Sequence, residues 1–180
     1  MAARKSSTDS FFIRGRVNAG STNAQGITGI DLGAYVDALG KAVLRIHNVQ
    51  VECADLLGGT LTVTGNEAAS VRMALTTSYP DANLTSPILS DNGTICTGHL
   101  ICFNDQGTTA IPSSVQDDFD EMDQHWTNGY LVAVDNIYLS GIASDAFAEA
   151  VYVGICLEVS VEAMDERSAI ALALSQSQNQ

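Results

Sequence analysis

The sequence predicts an all-β chain, and three observations carry that reading. Short runs rich in Val, Ile, Leu, Tyr and Phe are punctuated by Gly, Asn, Asp and Pro, with little sustained helical period. Apolar and polar residues alternate in the clearest run, where Ile155, Leu157, Val159 and Val161 oppose Cys156, Glu158, Ser160 and Glu162. The 180 residues are 46% apolar and 16% charged, enough for one buried core in one domain. No β-α-β alternation and no repeat of roughly 20 to 50 residues interrupts the pattern. About eight strands with two helices then fit an eight-stranded β-sandwich of jelly-roll type.

Residues 1–10 are polar and form an N-terminal arm. Strands are expected at Phe11 to Val17, Ile27 to Val36, Ala42 to Ala54, Thr60 to Thr64 and Val71 to Ser78, the last two as a hairpin-like pair. A helix from Leu32 to Leu39 is the rival over part of the second run. Gly58-Gly59 marks a turn, and Pro80 and Pro87 place Tyr79 to Gly93 in a loop. Further strands fall at Thr94 to Phe103, Tyr130 to Leu139 and Ala150 to Val161. An internal helix is expected over about 114–126, because Val115, Phe119, Met122 and Trp126 stand at helical spacing. Ser114 and Asp117 resemble a capping box, and Asn128-Gly129 reads as a left-handed stop. The jelly-roll domain thus spans 11–162, and residues 163–180 hold a short C-terminal helix, about Asp165 to Leu174, with a polar tail.

The formal charge of −13 reflects 21 acidic residues against 8 Lys plus Arg. Seven of those bases occur up to Arg72, and only Arg167 follows. An acidic C-terminal half excludes general binding of nucleic acid there, since phosphate needs a positive surface. The first ten residues lack the apolar run of a signal peptide, so folding in the cytoplasm is expected. No window reaches the roughly 18 apolar residues of a spanning helix.

Candidate chemistry is sparse. Cys96, His99 and Cys102 suggest a zinc knot, but strand alternation puts both cysteines on one face and His99 on the other. Cys53, Cys96, Cys102 and Cys156 therefore read as free buried thiols, with no metal and no cofactor. The run Asp117 to Asp123 lacks the spacing of a calcium loop, and Glu121 with His125 reads as a surface pair rather than metal ligands. There is no Gly-x-Ser-x-Gly elbow, phosphate loop or His-Glu-x-x-His helix, and three histidines alone do not make a triad, so no enzyme is expected.

Arg14, Arg16, Arg45 and His47 form the one basic constellation, with Arg4 and Lys5 in the arm. Contact with phosphate is one reading; ion pairing with the acidic half of an adjacent copy is the favoured one. Trp126 joins these as an interface candidate.

The runs Phe11-Phe-Ile-Arg-Gly-Arg-Val17, Ile30-Asp-Leu-Gly-Ala-Tyr-Val36, Val43-Leu-Arg-Ile-His-Asn-Val49, Gly129-Tyr-Leu-Val-Ala-Val-Asp135 and Val151-Tyr-Val-Gly-Ile-Cys-Leu-Glu-Val159 are together similar to the single-jelly-roll coat proteins of tailless icosahedral viruses. The resemblance is one of architecture over residues 11–162. It implies a multi-copy capsid subunit folded in the host cytoplasm and resident in the virion, without catalytic residues. Companion capsid proteins are implied partners. An internal viral membrane or the genome would be met through the N-terminal arm, without specific nucleic-acid recognition. Abundant Ala, Gly, Ser, Thr and Asn with only Lys5 and Lys41 agree with extensive contact surfaces, where flexible lysines are costly to immobilise. The alternative is a soluble ligand- or carbohydrate-binding jelly-roll module forming a small oligomer; a β-sandwich hydrolase is a third possibility, and fold alone does not choose.

Overall fold

A computed structural model describes residues 8–37, 42–80, 89–91, 93–105, 107, 109–112, 115–120 and 124–177. Eight longer strands, with β8 (Val115–Asp120) at one edge, build the two main sheets: β1 (Phe11–Gly20), β2 (Gly26–Asp31), β3 (Ala42–Ala54), β5 (Glu67–Thr76), β6 (Thr94–Asn104), β9 (Gln124–Val132), β10 (Asn136–Ala143) and β11 (Val151–Ala163). Between them lie β4 (Thr62–Val63) and β7 (Ile111–Pro112), and α1 (Glu166–Ser177) closes the chain.

The first sheet runs β1-β11-β3-β9 and the second β2-β10-β5-β6-β8, while β4 pairs with β7. Counting the eight main strands alone, first pairs with last, second with seventh, third with sixth and fourth with fifth. That is one long antiparallel ribbon wrapped around a barrel axis, which is the jelly roll. Its inner surface follows from alternation. Val17 and Ala19 of β1, Leu44, Ile46 and Val49 of β3, Met73 and Leu75 of β5, Ile137 and Leu139 of β10, and Val153, Ile155 and Leu157 of β11 all belong to one buried cluster. Cys96, Leu100 and Cys102 of β6 join it.

Several expectations are corrected. Among the described residues the internal helix expected over 114–126 is replaced by strands: Val115–Asp120 is β8, paired with β6 from Phe103↔Val115 to His99↔Asp120, and Gln124 onward is β9, paired with β3, while residues 114 and 121–123 lie outside the described residues. The helical stripe is local, whereas the edges of β6 and β3 offer rows of backbone N–H and C=O groups that only strands can pair. The expected strand Tyr130 to Leu139 is divided by a turn between β9 and β10. Thr60 to Thr64 does not pair with β5; its ordered part, β4, joins β7. Residues 32–36 form a turn after β2, with Tyr35 and Val36 N–H groups donating to the Leu32 carbonyl. The expected alternation of β11 holds, with Val159 and Val161 against the core; the register shift between Glu158 and Val159 leaves His47 of β3 unpaired, and Ser160, in register with Arg45, is buried to 2% exposure. Residues 81–88 of the expected Tyr79 to Gly93 loop lie outside the described residues.

The Asn128-Gly129 signal survives in another role. Gly129 has φ +68°, and residues 126–129 lie opposite His47 alone, so β9 bows outward there. A Cβ on Gly129 would stand 2.7 Å from both Arg45 Cγ and the Ile46 carbonyl oxygen.

The C-terminal helix reaches three residues beyond its expected end. Asp165 caps it, accepting from the Ser168 N–H at 2.9 Å. Ala169 packs with Val43 and Ala133 in a small second cluster. Gln176, expected in the polar tail, is buried and clamps the β9–β10 turn: its Nε2 donates to the Leu131 carbonyl at 2.6 Å, and its Oε1 accepts from the Ala133 N–H at 2.9 Å.

Candidate functional site

The face of the first sheet that points away from the core is the most structured open surface. Rows run across β1, β11 and β3. Phe12 lies beside Glu158 and Asn48, Arg14 beside Cys156 and Gln50, Arg16 beside Gly154 and Glu52, and Asn18 beside Tyr152 and Ala54. Arg14, Gly15, Arg16, Gln50, Val51, Glu52, Gly154, Ile155 and Cys156 line an open depression of about 400 Å³. Gly154 keeps it open, because a Cβ there would stand 3.2 Å from Glu52 Cγ.

Arg16 is held in place. Its guanidinium lies 4.3 Å from the centre of the Tyr152 ring, and Nη2 donates to the carbonyls of Asp55 at 2.8 Å and Leu56 at 3.1 Å. Those carbonyls belong to a tight turn. Asp55 Oδ1 accepts from the N–H groups of Leu57 and Gly59, both at 2.7 Å, and Gly58 adopts φ +84°. The N–H of Gly59 first, then those of Leu57 and Gly58, with Arg16 nearby, hold the Asp55 carboxyl below its usual value. At the tip Leu57 is 92% exposed and Leu56 61%. Arg14 sits 5.7 Å from the centre of the Phe12 ring, and Phe12 is itself exposed.

Of the basic constellation, Arg14 and Arg16 stand together, but Arg45 and His47 are elsewhere. Arg45 forms a two-pronged ion pair with Glu162, Nε to Oε1 at 2.6 Å and Nη2 to Oε2 at 2.8 Å, and also donates to the Asn128 carbonyl. It braces the β9 bulge. His47, the unpaired residue opposite that bulge, places Nε2 2.8 Å from Ser160 Oγ. Arg4 and Lys5 lie outside the described residues. Thr8 is anchored to the chain's own β11, donating its N–H to the Val161 carbonyl and accepting from the Val161 N–H at Oγ1. Trp126 is half-buried in β9, packed against the core 6.0 Å from the Tyr130 ring.

The cysteines are free among the described residues, with Cys96 and Cys102 buried and Cys53 and Cys156 half-buried. Burial pushes the Cys96 thiol up to about 12, so it stays protonated at neutral pH. His99 is on the opposite face of β6, beside Arg72 of β5. Cys53 and Cys156, expected buried, are only partly so, and Glu52 and the Leu56-Leu57 tip escape a reading from sequence alone. Two leucines between an Asp and a Gly pair are the signal that was available, since turn tips ordinarily carry polar residues.

The sequence matches no protein-family model and no curated protein. Among solved structures, the chain is similar to the VP1 pentamer protein of human polyomavirus 6, at 11% identity and TM-score 0.43 over 85% of this chain and 95% of that one. It is also similar to Merkel cell polyomavirus VP1, at 9% identity and TM-score 0.45 over 84% and 95% of the two chains. A chain of Cocksfoot mottle virus is similar at 10% identity and TM-score 0.35, over 92% of this chain and all of that one. The jelly-roll assignment itself rests on the strand order of this chain's own two sheets.

Proposed function

We propose that the chain is a structural subunit that self-assembles into a viral capsid shell and resides in the virion, with no enzymatic role. The observation that supports this best is the apolar surface held on ordered backbone outside a filled barrel. Side chains from both sheets occupy the interior, so recognition falls to the exterior. There Leu56 and Leu57 project from a turn whose conformation Asp55 and Arg16 already hold. Exposed leucines on a preorganised tip offer contact area at little ordering cost, which suits contacts repeated many times. Tyr79, Leu89 and Leu174 add exposed apolar area at other points of the surface, as a subunit with several neighbours requires. Within this reading the partners are further copies of the chain, companion capsid proteins, and a viral membrane or genome reached through residues 1–10.

Sedimentation velocity and electron microscopy of the purified chain test the reading. Very large closed particles are expected, and L56S/L57S should reduce them while leaving the monomer folded. Discrete small oligomers under all conditions would replace the shell by the ligand-binding module, and a monomer with measurable hydrolytic turnover would replace it by an enzyme.

A further inference from the structure

The helix α1 is apolar on both sides. Residues 169–174 read Ala-Ile-Ala-Leu-Ala-Leu, an unbroken run, so no orientation of the helix buries them all. Ala169, Leu172, Ala173 and Gln176 form the stripe toward the first sheet, where the first three pack with Val43, Leu131 and Ala133. Arg167, Ala171 and Leu174 stand on the opposite stripe and are exposed, Leu174 to 54%, with half-buried Ile170 beside them. Two charges go unanswered here. The Arg167 guanidinium forms no ion pair with a described residue. The last turn, negative by the helix dipole, carries no basic residue, and the side chains that reach its carbonyls are the hydroxyls of Ser175, Ser177 and Thr77.

We propose that this outer stripe docks on the same stripe of a second copy of the chain, the two α1 helices lying antiparallel about a two-fold axis between Ile170 and Ala171. The inference rests on the assembly reading and names one of its contacts. Charge selects both the occupant and the direction. A parallel pair would set Arg167 on the partner subunit's Arg167. An antiparallel pair instead carries Arg167 to the uncompensated last turn of the opposing helix, and the symmetry repeats that contact at the other end. Leu174 then lies along the aliphatic stem of the partner subunit's Arg167. Ile170 meets the partner subunit's Ala171, whose small side chain lets the helix axes approach to about 8–10 Å. The 12 residues of α1 make a helix about 18 Å long, too short to bury the roughly 1,000 Å² of a stable isolated dimer. The pair is therefore a weak contact that suits a shell, where it is repeated beside others.

The test uses L174R, R167E and L174R/R167E in the full chain, with self-association read by sedimentation velocity over a concentration series. Leu174 is exposed, so L174R leaves the fold intact, yet it sets like charges against one another twice per pair. The concentration giving half-association should rise about tenfold. R167E, which brings a carboxylate to the negative end of the opposing helix, should act in the same direction. The double variant should recover wild-type association, because the introduced arginine then faces the introduced carboxylate at both ends. A short bis-maleimide should cross-link A171C into a dimer well above the wild-type background; if a charge variant does not fold, this measurement decides. Unchanged association of folded L174R, a folded double variant no better than L174R, or A171C particles without the added cross-link overturns the helix pair. Large particles in those cases leave the shell reading standing and give the stripe to another partner, whereas a wild-type chain that remains monomeric overturns both.

Discussion

Replacing Gln176 by Ala should loosen the C-terminal helix and destabilise the whole domain. Gln176 is 5% exposed, and its carboxamide bonds the Leu131 carbonyl near the end of β9 and the Ala133 N–H just beyond it. Each group stranded out of water costs about 1–3 kcal/mol. Two such groups sum to about 2–6 kcal/mol, and the lower figure applies if α1 lifts enough for water to reach them. At a urea m-value of about 2 kcal/mol per M, the unfolding midpoint should fall by about 1–3 M. Gln176→Met separates bonding from packing: it keeps the volume and loses both bonds, so it should cost about as much as Gln176→Ala. Amide exchange supplies the local readout, with the Ala133 N–H losing protection in both variants. A destabilisation below about 0.5 kcal/mol, or an Ala133 amide that exchanges as slowly as before, would refute the clamp.

Three further outcomes follow from the same geometry. Trp126→Ala should cost about 2 kcal/mol in chemical denaturation, less than the roughly 3–5 kcal/mol of a fully buried indole, because the ring is only half-buried against the core. Gly129→Ala should lower stability by more than about 2 kcal/mol, since it combines a positive φ with a Cβ 2.7 Å from a backbone oxygen. Gly58→Ala, also at positive φ but with nothing within 4 Å, should cost only about 1 kcal/mol; equal losses in thermal or urea melts would contradict the packing argument. The Asp55 carboxyl has a lowered folded value, so its contribution is complete above the unfolded value near pH 4 and is lost as pH falls through the folded one. Asp55→Ala should therefore flatten the stability–pH curve below about pH 4, and a curve of unchanged shape in pH-dependent urea melts would count against the turn.

What the sequence determined by itself is everything set by local pattern. Alternation marks the buried faces of β1 and β11, and it correctly separates Cys96 and Cys102 from His99 on β6. The span of β3 coincides at both ends with its expected limits, because a long Val-, Leu- and Ile-rich run between turn residues leaves few other options. The cap at Asp165 is likewise a matter of neighbouring residues. Tertiary structure alone decided the segment 114–126. Its helical stripe is genuine, but two sheet edges stood open beside it, and the hydrogen bonds they offer come from residues far away in sequence. Distance along the chain also explains the site. Arg14 and Arg16 were legible as neighbours on one strand, yet Glu52 and Cys156 join them only once β1 and β3 flank β11. Arg45 was separated from them for the same reason, since Glu162, 117 residues away, claims its guanidinium. Pattern along a chain reports which side of an element meets water or core; pairing between elements assigns partners, and that choice is made by hydrogen bonds and packing available only after the ribbon has wrapped.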